Sequence, residues 1–181
     1  MLGRARIRCP VEVRRSGWTV ILLYQPDPVS AVLNAAKQVR PGGMVVFHEM
    51  DFANPIRSYP DGTLFASLLY GLVAETFRRA GFHADLGLHL KRIYHEAGLP
   101  WPTIKAEAPI GGEPGSFLYT WLAETLRSLL PRIEQFNLAS AADLDLDTLV
   151  ARMETEAVAS HSQLIGPLQF GAWSRKPGCG W

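Results

Sequence analysis

The side chains best suited to chemistry stand together in one short segment. Met44-Val45-Val46-Phe47 runs directly into His48-Glu49-Met50-Asp51, which puts an imidazole and two carboxylates within four positions. The apolar run follows Gly42-Gly43 and reads as a strand. Side chains alternate across a strand, so His48 and Met50 fall on one face and Glu49 and Asp51 on the other. In an open parallel sheet, ligands bind outside the carboxyl ends of the strands. A histidine or carboxylate there can take a proton from a bound molecule or simply orient it. The same groups can instead tie down the loop at Asn54. Arg57 and Tyr59 lie in that loop and either line the same cleft or face solvent.

Other reactive residue types lack a working pattern. His89 and His95 are six apart, off the i, i+4 spacing of a helical metal pair, and His83 and His161 add no partner. No metal site is expected. Ser160 and Ser162 flank His161, but no nucleophile-elbow sequence surrounds a serine, so hydrolase chemistry is unsupported. Gly111, Gly112 and Gly115 match no phosphate-binding loop. Phe117, Tyr119 and Trp121 form a stripe that reads as core or as a pocket wall.

Several elements must position the first cluster. Val20-Ile21-Leu22-Leu23 is a continuous apolar run, as in a strand buried on both faces, and Leu23-Tyr24-Gln25 would be its carboxyl end. Pro26-Asp27-Pro28 stops it. Val29, Val32, Leu33, Ala36 and Val39 recur at helical spacing, and Arg40-Pro41-Gly42-Gly43 turns into the next strand. Residues 53–60 read as a loop. Helices are expected from Leu64 to Gly81 and from Leu86 to Ala97, followed by a short strand from Thr103. A long helix starts at Phe117, with Pro131 kinking or restarting it. Residues 137–143 connect it to a last helix around Leu146 to Val158. Leu168 to Ser174 reads as the final strand.

The chain has 181 residues, 48% of them hydrophobic, and a net charge of +1. This suits a single globular domain and gives no reason to expect a nucleic-acid or membrane partner. Residues 1–17 hold Arg4, Arg6, Arg8, Arg14 and Arg15 against Glu12 alone, and read as a disordered basic leader. Residues 18–177 form the expected domain, and 178–181 a tail. Cys9 and Cys179 share no metal spacing, and a reducing cytoplasm is the simpler setting.

The ordered set resembles the carboxyl-terminal half of a class I S-adenosylmethionine-dependent methyltransferase. The resemblance rests on Tyr24-Gln25-Pro26-Asp27-Pro28, on Val39-Arg40-Pro41-Gly42-Gly43, on Arg79-Ala80-Gly81-Phe82, on His95-Glu96-Ala97-Gly98-Leu99, and on Phe170-Gly171-Ala172-Trp173-Ser174. It implies an α/β fold: a partial Rossmann-like methyltransferase sheet of about four strands with large helical insertions that cap the carboxyl ends. The first two strands would be parallel, with the final strand antiparallel beside the second. The resemblance further implies S-adenosylmethionine as cofactor, touched by Leu23, Tyr24 and Gln25. A small-molecule acceptor would be handled by His48 or Glu49 and lined by Asp51, Arg57 and Tyr59. No glycine-rich cofactor loop precedes Val20. A truncated protein, weak or inactive alone, is therefore expected, with a non-catalytic module pairing as a homodimer through the bare Val20–Leu23 edge as the rival.

Overall fold

A computed structural model describes residues 15–53 and 58–178, with the backbone alone for 15–19. The fold is α/β. Strand β1 (Arg15–Thr19) leads through a short 3-10 turn (Leu22–Tyr24) to α1 (Pro28–Gln38) and β2 (Met44–Asp51). A continuous helix over residues 64–79 follows, made of α2 (Leu64–Ala66), a π-helical segment (Ser67–Val73) and α3 (Ala74–Arg79). A 3-10 turn (Leu86–His89) opens α4 (Leu90–Glu96). Next come β3 (Thr103–Glu107), β4 (Ile110–Gly111), α5 (Phe117–Gln135), α6 (Ala141–Leu144) and α7 (Leu146–Ala159). The chain returns through β5 (Leu164–Ile165) to β6 (Leu168–Arg175).

The main sheet has the order β1-β2-β6-β3. Strands β1 and β2 are parallel, and β6 runs antiparallel between β2 and β3. This is the arrangement expected for the final strand. The first strand, however, lies earlier than the apolar run suggested. It ends at Thr19, and Leu22 and Leu23 belong to the turn that follows. The bare apolar edge expected at Val20–Leu23 therefore does not exist, because both leucines are fully buried in the core. Residues 15–17, grouped with the leader by composition, form the start of β1.

Local chemistry explains the elements between. Asp27 caps α1 by accepting from Ser30 N at 3.1 Å, with Pro28 at the first helical position. At the other end, Lys176 Nζ donates to the carbonyls of Ala36 and Val39, both at 2.8 Å. A cation on a helix carboxyl terminus satisfies orphan carbonyls and complements the dipole. Gly42 takes φ +75° and exchanges backbone bonds with the same lysine, through Gly42 N to Lys176 O and Lys176 N to Gly43 O. The Arg-Pro-Gly-Gly turn is thus fastened by the residue that follows β6.

Strand β2 alternates strictly between half-buried and buried positions. Val45, Phe47, Glu49 and Asp51 face the covered side, where Tyr94 of α4 stands edge-on to Phe47 at 6.2 Å. The Tyr94 hydroxyl donates to Ala172 O at 2.9 Å and lies 3.4 Å from Val45 O, which fastens α4 to β6 and β2. Burial pushes its pKa up, so it stays a donor. The helices after β2 build the second layer, with α5 packed on α7 and α3. Pro131 sits inside α5, which runs on to Gln135. The connector after α5 contains α6, closed by a capping box between Ser140 and Asp143. Strand β4 pairs with β5, and Gly112 just after it has no Cβ, which at that place would strike the Ser162 carbonyl.

Tyr94→Phe keeps the ring and removes the donor from two strand carbonyls. It should lower the unfolding free energy by about 1–2 kcal/mol. Urea melts should show a lower midpoint at unchanged slope.

Candidate functional site

The carboxyl end of β1 is shaped by a contact from the neighbouring strand. Val20 N donates to His48 O at 2.6 Å, and Val20 then turns to φ +49°. That left-handed value is unusual for a β-branched residue. It lifts the chain out of the sheet, so the amides of Ile21 and Leu22 lose their ladder partners. Glu49 supplies the replacement: its Oε1 accepts from Ile21 N at 3.0 Å and from Leu22 N at 2.9 Å. The 3-10 turn then closes with Tyr24 N to Ile21 O and Gln25 N to Leu22 O.

Glu49 is completely buried, and its Oε2 has no hydrogen-bond partner among the described residues. Burial pushes its pKa up, against the backbone N–H groups of Leu22, Ile21 and Leu23 and the nearby His48. The turn presents Tyr24 at 45% exposure. Its ring meets Phe82 edge-on at 4.8 Å and Phe77 at 6.1 Å. Burial and the Glu49 charge push the Tyr24 hydroxyl up, and Arg132 pulls it down. The Arg132 guanidinium lies over the Phe82 ring at 4.8 Å, a cation–π contact. Phe52 meets Phe77 at 4.8 Å, which completes an aromatic cluster over the ends of β1 and β2.

The other sequence candidates scatter around this cluster. His48 is half-buried on the opposite face of β2 from Glu49, and its Nε2 lies 3.1 Å from Gln169 Oε1. The two residues therefore do not converge on one atom. Asp51 is buried and accepts from Ala53 N at 2.9 Å, so it shapes the loop after β2. Leu23 is fully buried, and its carbonyl already accepts from His83 N at 3.0 Å. Gln25 is half-buried beside Tyr24. Tyr59 exchanges backbone bonds with Gln163, and its side chain is 75% exposed. Arg57 lies outside the described residues. Tyr119 is core, whereas Phe117 is exposed.

A cleft of about 380 Å³ opens beside the end of β2. Its lining includes Ala53, Tyr70, Gly71, Ala74, Phe82 and Ala84. Sequence reasoning singled out none of these as functional. One signal was present: Gly71 stands inside the expected helix, off its apolar stripe, where glycine is unfavourable. Phe82 belongs both to the cleft wall and to the Tyr24 cluster. Among the described residues, no three His, Cys, Asp or Glu side chains are grouped to hold a metal ion, and no helix is long and apolar enough to cross a membrane.

No protein-family model matches the chain, and no curated protein matches it. Among solved structures, it is similar to Haemonchus contortus phosphoethanolamine N-methyltransferase 2 in complex with phosphomonomethylethanolamine and S-adenosylhomocysteine. That match has 15% identity and a TM-score of 0.45, and covers 91% of this chain and 33% of the other. A Bacillus halodurans protein provisionally described as a methyltransferase matches at 13% identity and a TM-score of 0.47, over 94% of this chain and 68% of its own. A Galdieria sulphuraria protein provisionally described as a sarcosine dimethylglycine methyltransferase matches at 17% and 0.43, over 95% and 56%. The chain spans about a third of the length of the first of these.

Glu49→Gln keeps an acceptor for Ile21 and Leu22 and removes the buried charge. Glu49→Ala leaves both amides unpaired and should cost about 1–3 kcal/mol at neutral pH. A raised folded pKa means that the folded chain holds the proton longer than the unfolded one. The Glu49 contribution is therefore fully present below the ordinary carboxyl value and lost as pH rises through the folded value. Urea melts across that window should show stability falling with pH less steeply in Glu49→Gln than in wild type.

Proposed function

We propose that the chain carries a methyltransferase-like site, dependent on S-adenosylmethionine and acting on a small-molecule acceptor. The observation that best supports this is the strand order. A parallel pair is followed by an antiparallel final strand inserted beside the second, with the helical layer joining the strands between. That is the pattern implied by the residues around Tyr24, the Arg-Pro-Gly-Gly turn and the last strand.

Bound S-adenosylmethionine would supply a methyl group on a sulfonium, open to direct in-line attack by an O, N or C nucleophile. The part of this chain is positioning. Tyr24 and Gln25 fit a cofactor contact, because the turn leaves both partly accessible at a strand end. Leu23 fits less well, since its side chain is core and its carbonyl is engaged. Glu49 holds the turn and so places Tyr24. The aromatic cluster and the helices beyond β2 wall the same edge.

A second reading follows from β1, which ends the sheet and pairs with β2 alone among the described strands. Its outer edge suits strand pairing with a second copy. Light scattering at high protein concentration separates the two: a dimer lost on Gly17→Pro supports pairing, and a monomer throughout removes it.

Because the contact set offered by one turn is partial, S-adenosylhomocysteine should bind the chain weakly, with a Kd above about 100 µM, or roughly −5.5 kcal/mol. Tyr24→Ala should weaken it by about fivefold or more in calorimetry. Stoichiometric sub-micromolar binding would overturn the partial site. No heat at several millimolar ligand would overturn the cofactor assignment.

A further inference from the structure

The cleft beside β2 has features that folding alone does not require. Its floor is the face of the 64–79 helix that carries Gly71 and Ala74. Gly71 has no positive φ, and a Cβ built there would meet nothing within 4 Å. Neither backbone geometry nor crowding calls for glycine, which is among the least favourable residues inside a helix. The same stretch, Ser67–Val73, is wound as a π-helix, a form rare in proteins and often found at functional sites. Both local costs fall on one cleft floor. Ala53 and Ala84 also line the cleft, so four of its positions carry nothing larger than a methyl group, with the Tyr70 and Phe82 rings among them.

The hydrogen-bonding inventory at the rim identifies the charged donor that a ligand can use. Glu75 takes three bonds: Oε1 accepts from Arg78 Nη2 and Arg79 Nε, and Oε2 from Arg78 Nε, all at 2.7 Å. Those bonds hold its pKa down at about 2, so it stays charged and committed. Asp85 Oδ2 is bonded to His89 Nε2 at 2.9 Å, and its pKa is held down mainly by that bond, so it stays a charged acceptor at the rim. Arg78 is 70% exposed, and its Nη1 has no partner among the described residues. The charged donor left over at the rim is thus a guanidinium nitrogen, which fits a carboxylate.

We propose that this cleft binds a flat aromatic acid, with the ring over Gly71 and Ala74 and the carboxylate on Arg78 Nη1. Gly71 sets the depth available to the ring. The proposal stands on the cleft alone and does not rest on the function proposed above.

Titration of the whole chain with 2-naphthoate, without cofactor, followed by ligand fluorescence and by NMR, tests this. Wild type should saturate below about 1 mM. Gly71→Leu fills the floor and should weaken binding about tenfold or more without lowering the melting temperature. Ala74→Leu fills it from the next turn and serves if Gly71→Leu does not fold. Arg78→Gln should weaken 2-naphthoate about tenfold and leave neutral 2-naphthol unchanged. Absence of saturation, or equal affinity in wild type and the filled variants, overturns the site. An equal loss of both ligands in Arg78→Gln overturns the acid. Failure here leaves the S-adenosylhomocysteine titration standing, and failure of that titration leaves this cleft standing.

Discussion

The bond from Glu49 to the amides of Ile21 and Leu22 organises the carboxyl edge of this protein. It links the end of β2 to the exit of β1 across 27 and 28 residues of chain. Hydrogen bonds to a charged acceptor are worth about 1.5–3 kcal/mol each, and here they offset only part of the cost of burying a carboxylate, whose pKa stays raised. Once the turn is fixed, Leu22 and Leu23 drop into the core, and the carbonyl of Leu23 faces the amide of His83. That bond places the segment carrying Phe82, whose ring meets Tyr24 on one side and Arg132 on another. The candidate cofactor turn and the cleft wall are therefore parts of one chain of contacts.

The layer above this edge is built from the helices that follow β2 and β4. Its packing is ordinary apolar burial, with Phe65, Leu69, Val73 and Phe77 facing Leu118, Leu122 and Leu126 within one core. What is unusual is where that regularity is given up. The helix winds as a π-segment and carries Gly71 at the point where it passes the end of β2. Packing interactions elsewhere along the helix over-determine its path, so a locally weak stretch persists there.

Most of the elements could be read locally. The stripe Leu64, Phe65, Leu68, Leu69, Leu72, Val73 and Phe77 announces its helix through spacing alone, and Gly81 ends it at φ +72°. Arg40-Pro41-Gly42-Gly43 marks a helix end and a strand start, because proline and glycine act on their own backbones. The opposite faces of His48 and Glu49 follow from alternation. The run Val20–Leu23 misled because a buried strand and a buried turn have the same apolar composition. What separates them is a carboxylate far along the chain. Asp51 and Glu49 both looked reactive by position, and both are bonded to nearby or neighbouring-strand amides.

Local residue preferences set the periodic elements, the chain reversal at the glycines and the face of each β2 side chain. These depend on φ/ψ preferences and on side-chain repeat, which act within a few residues. Long-range packing placed β6 between β2 and β3, set Lys176 on the end of α1, and brought Glu49 to the turn before Tyr24. The same packing gathers Gly71, Arg78 and Phe82 around one cleft. Each of these joins groups distant in sequence, and only the packed chain brings them within hydrogen-bonding or van der Waals reach.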